Sequence, residues 1–477
     1  VPARHVYDAI VLGGQVGAAL AAALLSRRGR KVLLVPQDGL GARYEHQGFR
    51  FSHGPSLTAP LDALPLLARV ASELSVGPRL EALVRQPALQ LLQPGEWFEL
   101  RGGDKERAVE LKRALGAGAD AFSLQVARAV TGARASDAFL EAGLDFPPEG
   151  MLARWRLTRQ LPRFTGLSTP CPLPADAFLR TLLPFVTQVD RASPMAEARG
   201  LGHVLAGPSA LEGGREALYQ LLAERAFELG ADVVGPDERV EELVVQGASA
   251  VGVRLRNLGA TYRAQALIAG CDLEVLAPLA AEARRGPARR ALGRLTSATS
   301  VLTVHSVLPA LGLPPGLGTL ALVPADGPGS LLVEVSGATR VAAGLPSAAP
   351  LRTLTVSTVI STAPRPTEAS VRTAVASVWK ALEAVLPFTR AHVQVESIPM
   401  LHAPAVTGLG EPWPLFSTPP DSWFGLTGHL TQPTWGHLLL ASRQVFPGLG
   451  LEGEVLAAVR AVERAERLTG ASRKRAG

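Results

Sequence analysis

A glycine loop near the start of the chain, Gly13-Gly14-Gln15-Val16-Gly17, follows an apolar run at residues 7–12 and precedes an alanine-rich stretch at 18–28. Strand, turn and helix in that order turn backbone N–H groups toward one point at a helix N-terminus, the chemistry that holds a dinucleotide's pyrophosphate. Such a site asks for a glycine in the tight turn, a second where backbone approaches phosphate, and a third where helix packs on strand. Gly13, Gln15 and Ala18 hold those places, with Gly17 beside the last. Alanine is admissible at the third, but glutamine at the second puts a side chain where phosphate should lie. An acid should accept the ribose hydroxyls about 20 residues on, at the end of the second strand. Pro36 stands there, and its neighbour Gln37 substitutes only in part.

Other chemistries find less support. Nine histidines are scattered without paired ligand spacing, so no metal site is expected. No G-x-S-x-G elbow is present. Cys171 and Cys271 lie far apart and form no disulfide framework, which fits a reducing, cytoplasmic compartment; Cys271 reads as a small buried apolar residue. His53, before the Gly54-Pro55 turn, is a modest site candidate, and residues 423–437 gather Trp423, Phe424, His429, Trp435 and His437 into a packed loop or a ligand wall.

The elements that must position these residues belong to a 477-residue chain, long enough for two or three packed domains. Hydrophobic residues make up 47% and charged residues 19%, which calls for a large core, an enclosed apolar ligand or a membrane contact. Residues 18–25 form an apolar run too short to cross a bilayer, against the ~20 residues a spanning helix needs. The first residues run into a strand pattern without a signal-peptide core. Net charge is +6, with 43 arginines to 5 lysines, but the cations are dispersed and aromatics are sparse, which argues against nucleic acid. Two clusters, Arg284-Arg285 with Arg289-Arg290 and Arg294, and the tail Arg473-Lys474-Arg475, admit a peripheral contact with anionic lipid.

After the βαβ start the pattern turns helical from about 61 to 199, with helices at 63–74 and 104–117. A strand-and-helix pattern returns near 207, a hairpin follows at 240–255, and a buried strand at 266–269. Residues 296–405 suggest a second sheet with one helix at 368–386; a strand at 436–441 and a helix at 452–468 close the chain.

Four blocks in this order resemble the flavin-dependent oxidoreductases of the amine-oxidase and phytoene-desaturase type: YDAIVLGGQVGAALAAALLSRRGRKVLLV, EHQGFRFSHGPS, the block LEGGREALYQLLAERAFELGADVVGPDERVEELVVQGASAVGVRL, and LLLASRQVFPGLGLEGEVLAAVRA. The resemblance spans nearly the whole chain. It implies an α/β fold: a Rossmann-like FAD-binding domain of the glutathione-reductase type, built from residues 1–60, 206–290 and 406–477. A second, α+β domain with a mixed sheet and helices, residues 61–205 and 291–405, would enclose an apolar tunnel for a lipid such as a polyisoprenoid or carotenoid.

The resemblance also assigns site positions. A Gly-Gly pair and a basic residue that wrap the flavin pyrophosphate correspond to Gly39-Leu40-Gly41-Ala42-Arg43. The family's adenine contact through main-chain atoms falls on Val240. The Gly-Asp that meets the pyrophosphate and ribityl region is replaced by Ser442-Arg443, and the turn facing the isoalloxazine holds Gly448, Gly450 and Gly453. With Gln15, Pro36 and Arg443 each lacking the expected chemistry, the expectation is a protein that retains no FAD as purified. It would act as a non-redox binding or scaffold protein for an apolar small molecule or a protein partner. Within this fold, the GDP-dissociation inhibitors of Rab GTPases resemble the oxidoreductases, bind no flavin and hold a prenylated protein. The alternative is an active FAD-dependent desaturase, isomerase or oxidase acting on a long apolar substrate.

Overall fold

The computed structural model describes the chain except residues 1–4, 39, 62–63, 101–103, 143, 145, 149, 165–179, 236–237, 247–248, 280–293, 324–328, 342–349, 364, 404–412, 433–435 and 477. Gly39, Cys171, Trp435 and Arg284, Arg285, Arg289 and Arg290 therefore lie outside the described residues, as do the side chains of Arg473, Lys474 and Arg475.

The strand His5–Leu12 is the spine of the first sheet. It pairs in parallel with Val32–Val35 on one side and Thr261–Ala269 on the other. Asp232–Val233 extends one edge, Leu438–Leu440 pairs in parallel with the end of Thr261–Ala269, and the hairpin Val240–Gln246/Ser249–Leu255 continues the other edge antiparallel. Parallel strands buried on both faces read as continuous apolar runs, and Val32–Val35 and Leu438–Leu440 are buried at every residue.

The helix Val16–Arg27 has eleven buried positions and so presents no solvent face along most of its length. That demands small side chains. Six of its twelve residues are glycine or alanine, which let it pack against the helices Gly214–Glu228 and Gly450–Ala476 on one face of the sheet. A Cβ on Gly17 would sit 1.9 Å from the Ala441 carbonyl oxygen, and one on Gly270 would lie 2.5 Å from the Ala18 Cβ. Ala18 is thus accommodated in a glycine's place because its neighbour across the contact is itself glycine.

The second sheet runs in the order Val395–Ser397, Thr296–Pro309, Leu351–Ser361, Leu331–Gly337, Leu320–Val323, Leu89–Gln93, Glu96–Leu100, and Trp413–Ser417 pairs with the start of the long strand. Helix Glu368–Glu383 covers one face through Val371, Val375, Val378, Trp379 and Leu382. Ala119–Glu141 and Pro194–Ala206 pack on the other through Phe122, Val126, Ala129 and Leu201. The mixed α/β architecture is the one expected.

Particular segments depart from the sequence reading. The helical stretch expected over 61–199 contains the hairpin Leu89–Gln93/Glu96–Leu100, which joins the second sheet through a parallel pairing of Leu89–Gln93 with Leu320–Val323. Leu61, Leu64, Leu67, Val70, Leu74 and Leu80 pack into the core of the first sheet, across the boundary expected at 60. Trp413–Ser417, expected with the first domain, is hydrogen-bonded into the second sheet. These segments tie the two sheets together.

Gly17→Ala tests the contact of helix on strand. The added methyl cannot avoid the Ala441 carbonyl without moving a helix buried all round, so a loss of about 3 kcal/mol or more is expected in denaturant unfolding. A loss below about 1 kcal/mol would show that the helix has room to shift.

Candidate functional site

The glycine loop closes the first parallel pair. Gly13 adopts φ +125°, its N–H donates to the Val35 carbonyl at 2.8 Å, and a Cβ there would lie 2.1 Å from the Gly270 carbonyl oxygen. Gln15 N donates to that same Gly270 oxygen at 3.2 Å, and Gln15 then caps the helix Val16–Arg27 without a side-chain cap. Its side chain turns inward instead. Gln15 Nε2 donates to Asp272 Oδ1 at 2.8 Å, and its Oε1 accepts from the Arg443 backbone N–H at 3.1 Å.

Arg443 completes this cluster. Its Nε lies 3.1 and 3.2 Å from the two Asp272 carboxylate oxygens and its Nη2 2.5 Å from Oδ2, a bidentate pair with both partners buried. The Arg443 guanidinium also lies 4.9 Å from the Trp413 ring, and Arg215 lies 5.0 Å from the same indole. Arg215 in turn donates to Glu454 Oε1 at 2.6 Å. Gly54 permits the close approach of the indole, since a Cβ there would be 3.1 Å from Trp413 Cε3. Burial opposes the Arg443 charge, but Asp272 outweighs it and holds the guanidinium's pKa above its ordinary value.

The expected acid position behaves as its residue type requires: Pro36 offers no acceptor. The next two residues supply the polar groups. Gln37 is buried, its Oε1 accepts the Val240 N–H at 2.7 Å, and its Nε2 faces the Val240 carbonyl at 3.4 Å. One carboxamide thereby engages both main-chain atoms of the residue aligned with the adenine contact. Asp38 folds back onto the loop: its Oδ1 accepts the Gly14 N–H at 2.6 Å and the Leu40 N–H at 3.2 Å. Burial pushes its pKa up to about 7 against the pull of those two N–H groups.

The remaining expected residues are scaffold. A Cβ on Gly41 would meet the Tyr219 ring at 2.4 Å, and the Gly41 carbonyl accepts from Gln220 Nε2 at 2.6 Å. Added Cβ atoms on Gly448, Gly450 and Gly453 would lie 2.7, 2.0 and 2.1 Å from the carbonyl oxygens of Gly425, Val186 and Phe446. These glycines serve backbone crossings. Cys271 is buried and forms no disulfide, as expected. Phe424 packs with Phe139 and Phe146 as part of the core around the first sheet.

A flavin dinucleotide laid along this groove meets groups already engaged. Its adenine would compete with Gln37 for Val240, its pyrophosphate with Asp38 for Gly14 and with the Gln15 side chain, and its ribityl with the Arg443–Asp272 pair. The space left between Gly14, Gln15, Leu40, Arg215, Trp413 and Arg443 is about 20 Å³, room for roughly one water molecule. The side chains present do not fit the cofactor in this arrangement.

Arg43, expected at the pyrophosphate, instead lines a separate cavity of about 360 Å³ between the second sheet and the start of the helix Gly214–Glu228. Its Nη1 reaches Thr339 Oγ1 at 3.4 Å, and among the described residues it has no carboxylate partner within ion-pair distance. His305 lies in the wall with Nδ1 2.9 Å from Thr355 Oγ1 and Nε2 2.9 Å from the Ser52 carbonyl; burial lowers its pKa to about 4. Glu334 is buried beside it and accepts from Ser56 N and Oγ, and burial raises its pKa. Ser336, Thr319 and Thr353 add hydroxyls beside Phe51, Leu83, Leu211 and Val335, so this cavity has a mixed polar and apolar wall where the resemblance implied an apolar tunnel. An apolar groove of about 830 Å³ lies elsewhere, on the surface beside Leu61, Ala71, Leu80 and Val84. Among the described residues no group of histidine, cysteine and carboxylate side chains is arranged to hold a metal, and no helix is long and apolar enough to cross a membrane.

Sequence reasoning missed Asp38, Asp272 and Trp413. Asp272 was visible as the acid two residues after Gly270, and a buried arginine at 443 implied a carboxylate partner; nothing local in sequence points to Trp413.

Comparison with known proteins agrees with this fold. Residues 11–74 match the NAD(P)-binding Rossmann-like domain family. An oxidoreductase from Methanosarcina mazei superposes with a TM-score of 0.56 at 15% identity, covering 95% of this chain and 99% of its own. A double mutant of putrescine oxidase gives 0.57 at 14% identity, covering 97% and 99%. The Rab GDI of Plasmodium falciparum gives 0.54 at 11% identity, covering 96% and 98%. No curated protein sequence matches the chain significantly. The chain has the fold of the FAD-dependent oxidoreductases, shared with a GDI.

Asp38 makes the groove sensitive to pH. Its folded pKa of about 7 means the native state keeps a proton that the unfolded chain releases from about pH 4 upward. Its contribution to stability therefore falls as pH rises through that window and is level above it. Asp38→Asn keeps an acceptor for Gly14 and Leu40 and cannot ionise, so its stability relative to wild type should climb from about pH 4 to about pH 7. Thermal melts at stepped pH measure this, and a constant difference would mean that the carboxyl titrates as it does unfolded.

Proposed function

We propose that this protein uses a flavoprotein-type fold without a flavin, as a non-redox binding protein whose ligand occupies the cavity beside the second sheet. The observation that carries the reading is the Gln37 amide on both main-chain atoms of Val240, together with the Gln15–Asp272–Arg443 cluster over the glycine loop. Entry of a dinucleotide would have to separate a buried ion pair, a change that costs about 3–5 kcal/mol where one partner is left uncompensated. At about 1.4 kcal/mol per tenfold, that step alone lowers affinity by about two to three and a half powers of ten. The Rab GDI, which aligns over 96% of this chain, supports a binding role, and the oxidoreductases that align equally well support the alternative of an active FAD-dependent enzyme.

The lining of the cavity favours a small polar ligand over a long apolar one. Arg43 faces it with a hydrogen bond to Thr339 and no described carboxylate within ion-pair distance, and buried Glu334 and His305 are held in place by Ser56, Ser52 and Thr355. A guanidinium without a carboxylate at the wall of a pocket is a receptor for a carboxylate or phosphate on the ligand. In this reading burial raises the pKa of Glu334 and lowers that of His305, and both orient the ligand through hydrogen bonds rather than transfer protons. The apolar groove and a protein partner remain the places for the prenyl-type or scaffold role.

The deciding measurement is the visible absorbance of the purified protein and its titration with FAD. The expected outcome is no flavin band and no saturable uptake. Flavin retained at near one equivalent per chain would overturn the reading in favour of an oxidoreductase acting on an apolar substrate.

A further inference from the structure

The helix Gly150–Gln160 stands out because its large apolar side chains point away from the protein. Met151 is 88% exposed, Leu152 61% and Trp155 57%, whereas Leu157 is 3% exposed and packs with Phe139 and Phe146 in the core. At about 100° per residue, Met151, Leu152 and Trp155 form one ridge, and Leu157 lies on the opposite side. Soluble helices place their apolar face inward. This one has an apolar residue facing the core and an apolar ridge facing out.

Charge is arranged around that ridge. The same rotation puts Arg154 on one flank and Arg156 on the other, while Arg159 shares the ridge and lies 5.4 Å from the Trp155 ring. Arg163 follows in the next turn, and all four arginines are exposed. Residues 150–164 contain no aspartate or glutamate. Among the described residues none of the four arginines is within ion-pair distance of a carboxylate. A basic helix with tryptophan and aliphatic side chains on its outer ridge matches the interfacial layer of a bilayer, where apolar tips enter the acyl boundary and guanidinium groups reach the phosphates.

We propose that the helix Gly150–Gln160 docks this protein on an anionic lipid surface, Met151, Leu152 and Trp155 entering the headgroup layer and Arg154, Arg156, Arg159 and Arg163 meeting lipid phosphates. A lipid surface is favoured over an acidic protein because a ridge of three side chains flanked by cations is far smaller than the roughly 800 Å² per partner of a stable protein interface. The site is distinct from the two basic clusters singled out in the sequence, and the inference does not depend on whether flavin binds.

Co-sedimentation of the full chain with vesicles of phosphatidylcholine alone, and of phosphatidylcholine mixed with phosphatidylglycerol, tests it. Binding is expected to the mixed vesicles only and to weaken as salt is raised. Met151→Ser/Trp155→Ser should lower partitioning at least tenfold, and Arg154→Gln/Arg156→Gln/Arg159→Gln should remove the preference for anionic lipid. All five positions are solvent-exposed, so far-UV circular dichroism should be unchanged. Failure of wild type to bind the mixed vesicles would overturn the proposal. So would binding that the Met151→Ser/Trp155→Ser variant retains in full, or an acidic protein partner that requires the ridge while vesicles do not.

Discussion

The buried pair between Arg443 and Asp272 is the constraint on which the nucleotide groove rests. Asp272 follows the strand Thr261–Ala269, Arg443 follows Leu438–Leu440, and these two strands are parallel neighbours. The pair therefore joins the C-terminal ends of adjacent strands, where open α/β sheets keep their ligands. Gln15 bonds to both partners and brings in the loop after the central strand. A charge pair out of water depends on its neighbours, and here the Gln15 carboxamide adds a hydrogen bond to Asp272 while the Trp413 indole faces the guanidinium, whose Nη1 is left without a hydrogen-bond partner. Removing any one member leaves the others in a low-dielectric site without compensation.

This coupling explains how much of the site was legible in the sequence. The loop, its flanking strand and the helix Val16–Arg27 were readable because each rests on local rules: an apolar run, a glycine turn, an alanine-rich segment. The substitutions at Gln15 and Arg443 were readable as departures from a pattern, and the structure joins them through Asp272. Their joint meaning was not readable, because that partner lies 171 residues from Arg443 and its carboxylate alone says nothing about direction. Pro36 was the right position by spacing, yet the chain uses the two residues after it, one reaching Val240 and the other turning back to Gly14. The strands at 89–100 were hidden for a related reason: Gln90, Gln93, Glu96 and Glu99 interrupt their apolar residues with polar ones amid helical surroundings.

The hydrophobic excess that composition announced is now divided among identifiable structures. Much of it is consumed by elements buried on both sides: the parallel strands of the first sheet, the helix Val16–Arg27, and the two layers around the second sheet. Part remains on the surface as the outer ridge of Gly150–Gln160 and the groove beside Leu80. The cavity beside the second sheet takes only part of it, since arginine, serine and threonine side chains share its wall with Phe51, Leu83, Leu211 and Val335. An apolar composition thus came from packing layers on layers and did not require an apolar tunnel.

A fold that in other proteins closes around a dinucleotide has a set of backbone groups facing the groove that must find partners whether or not the ligand is there. In this chain the Val240 N–H and carbonyl meet Gln37, the Gly14 N–H meets Asp38, and the Arg443 N–H meets Gln15. Each of these backbone groups has a side-chain partner from within the chain. The cost is visible at Asp38, whose carboxyl is driven toward the neutral form by its burial, and the return is a groove that needs no ligand to be hydrogen-bonded. Since every one of these partners is anchored by a sheet strand or its following turn, displacing them means disturbing the sheet ends themselves. The groove is then a structural joint, hydrogen-bonded from within the chain at the ends of the first sheet.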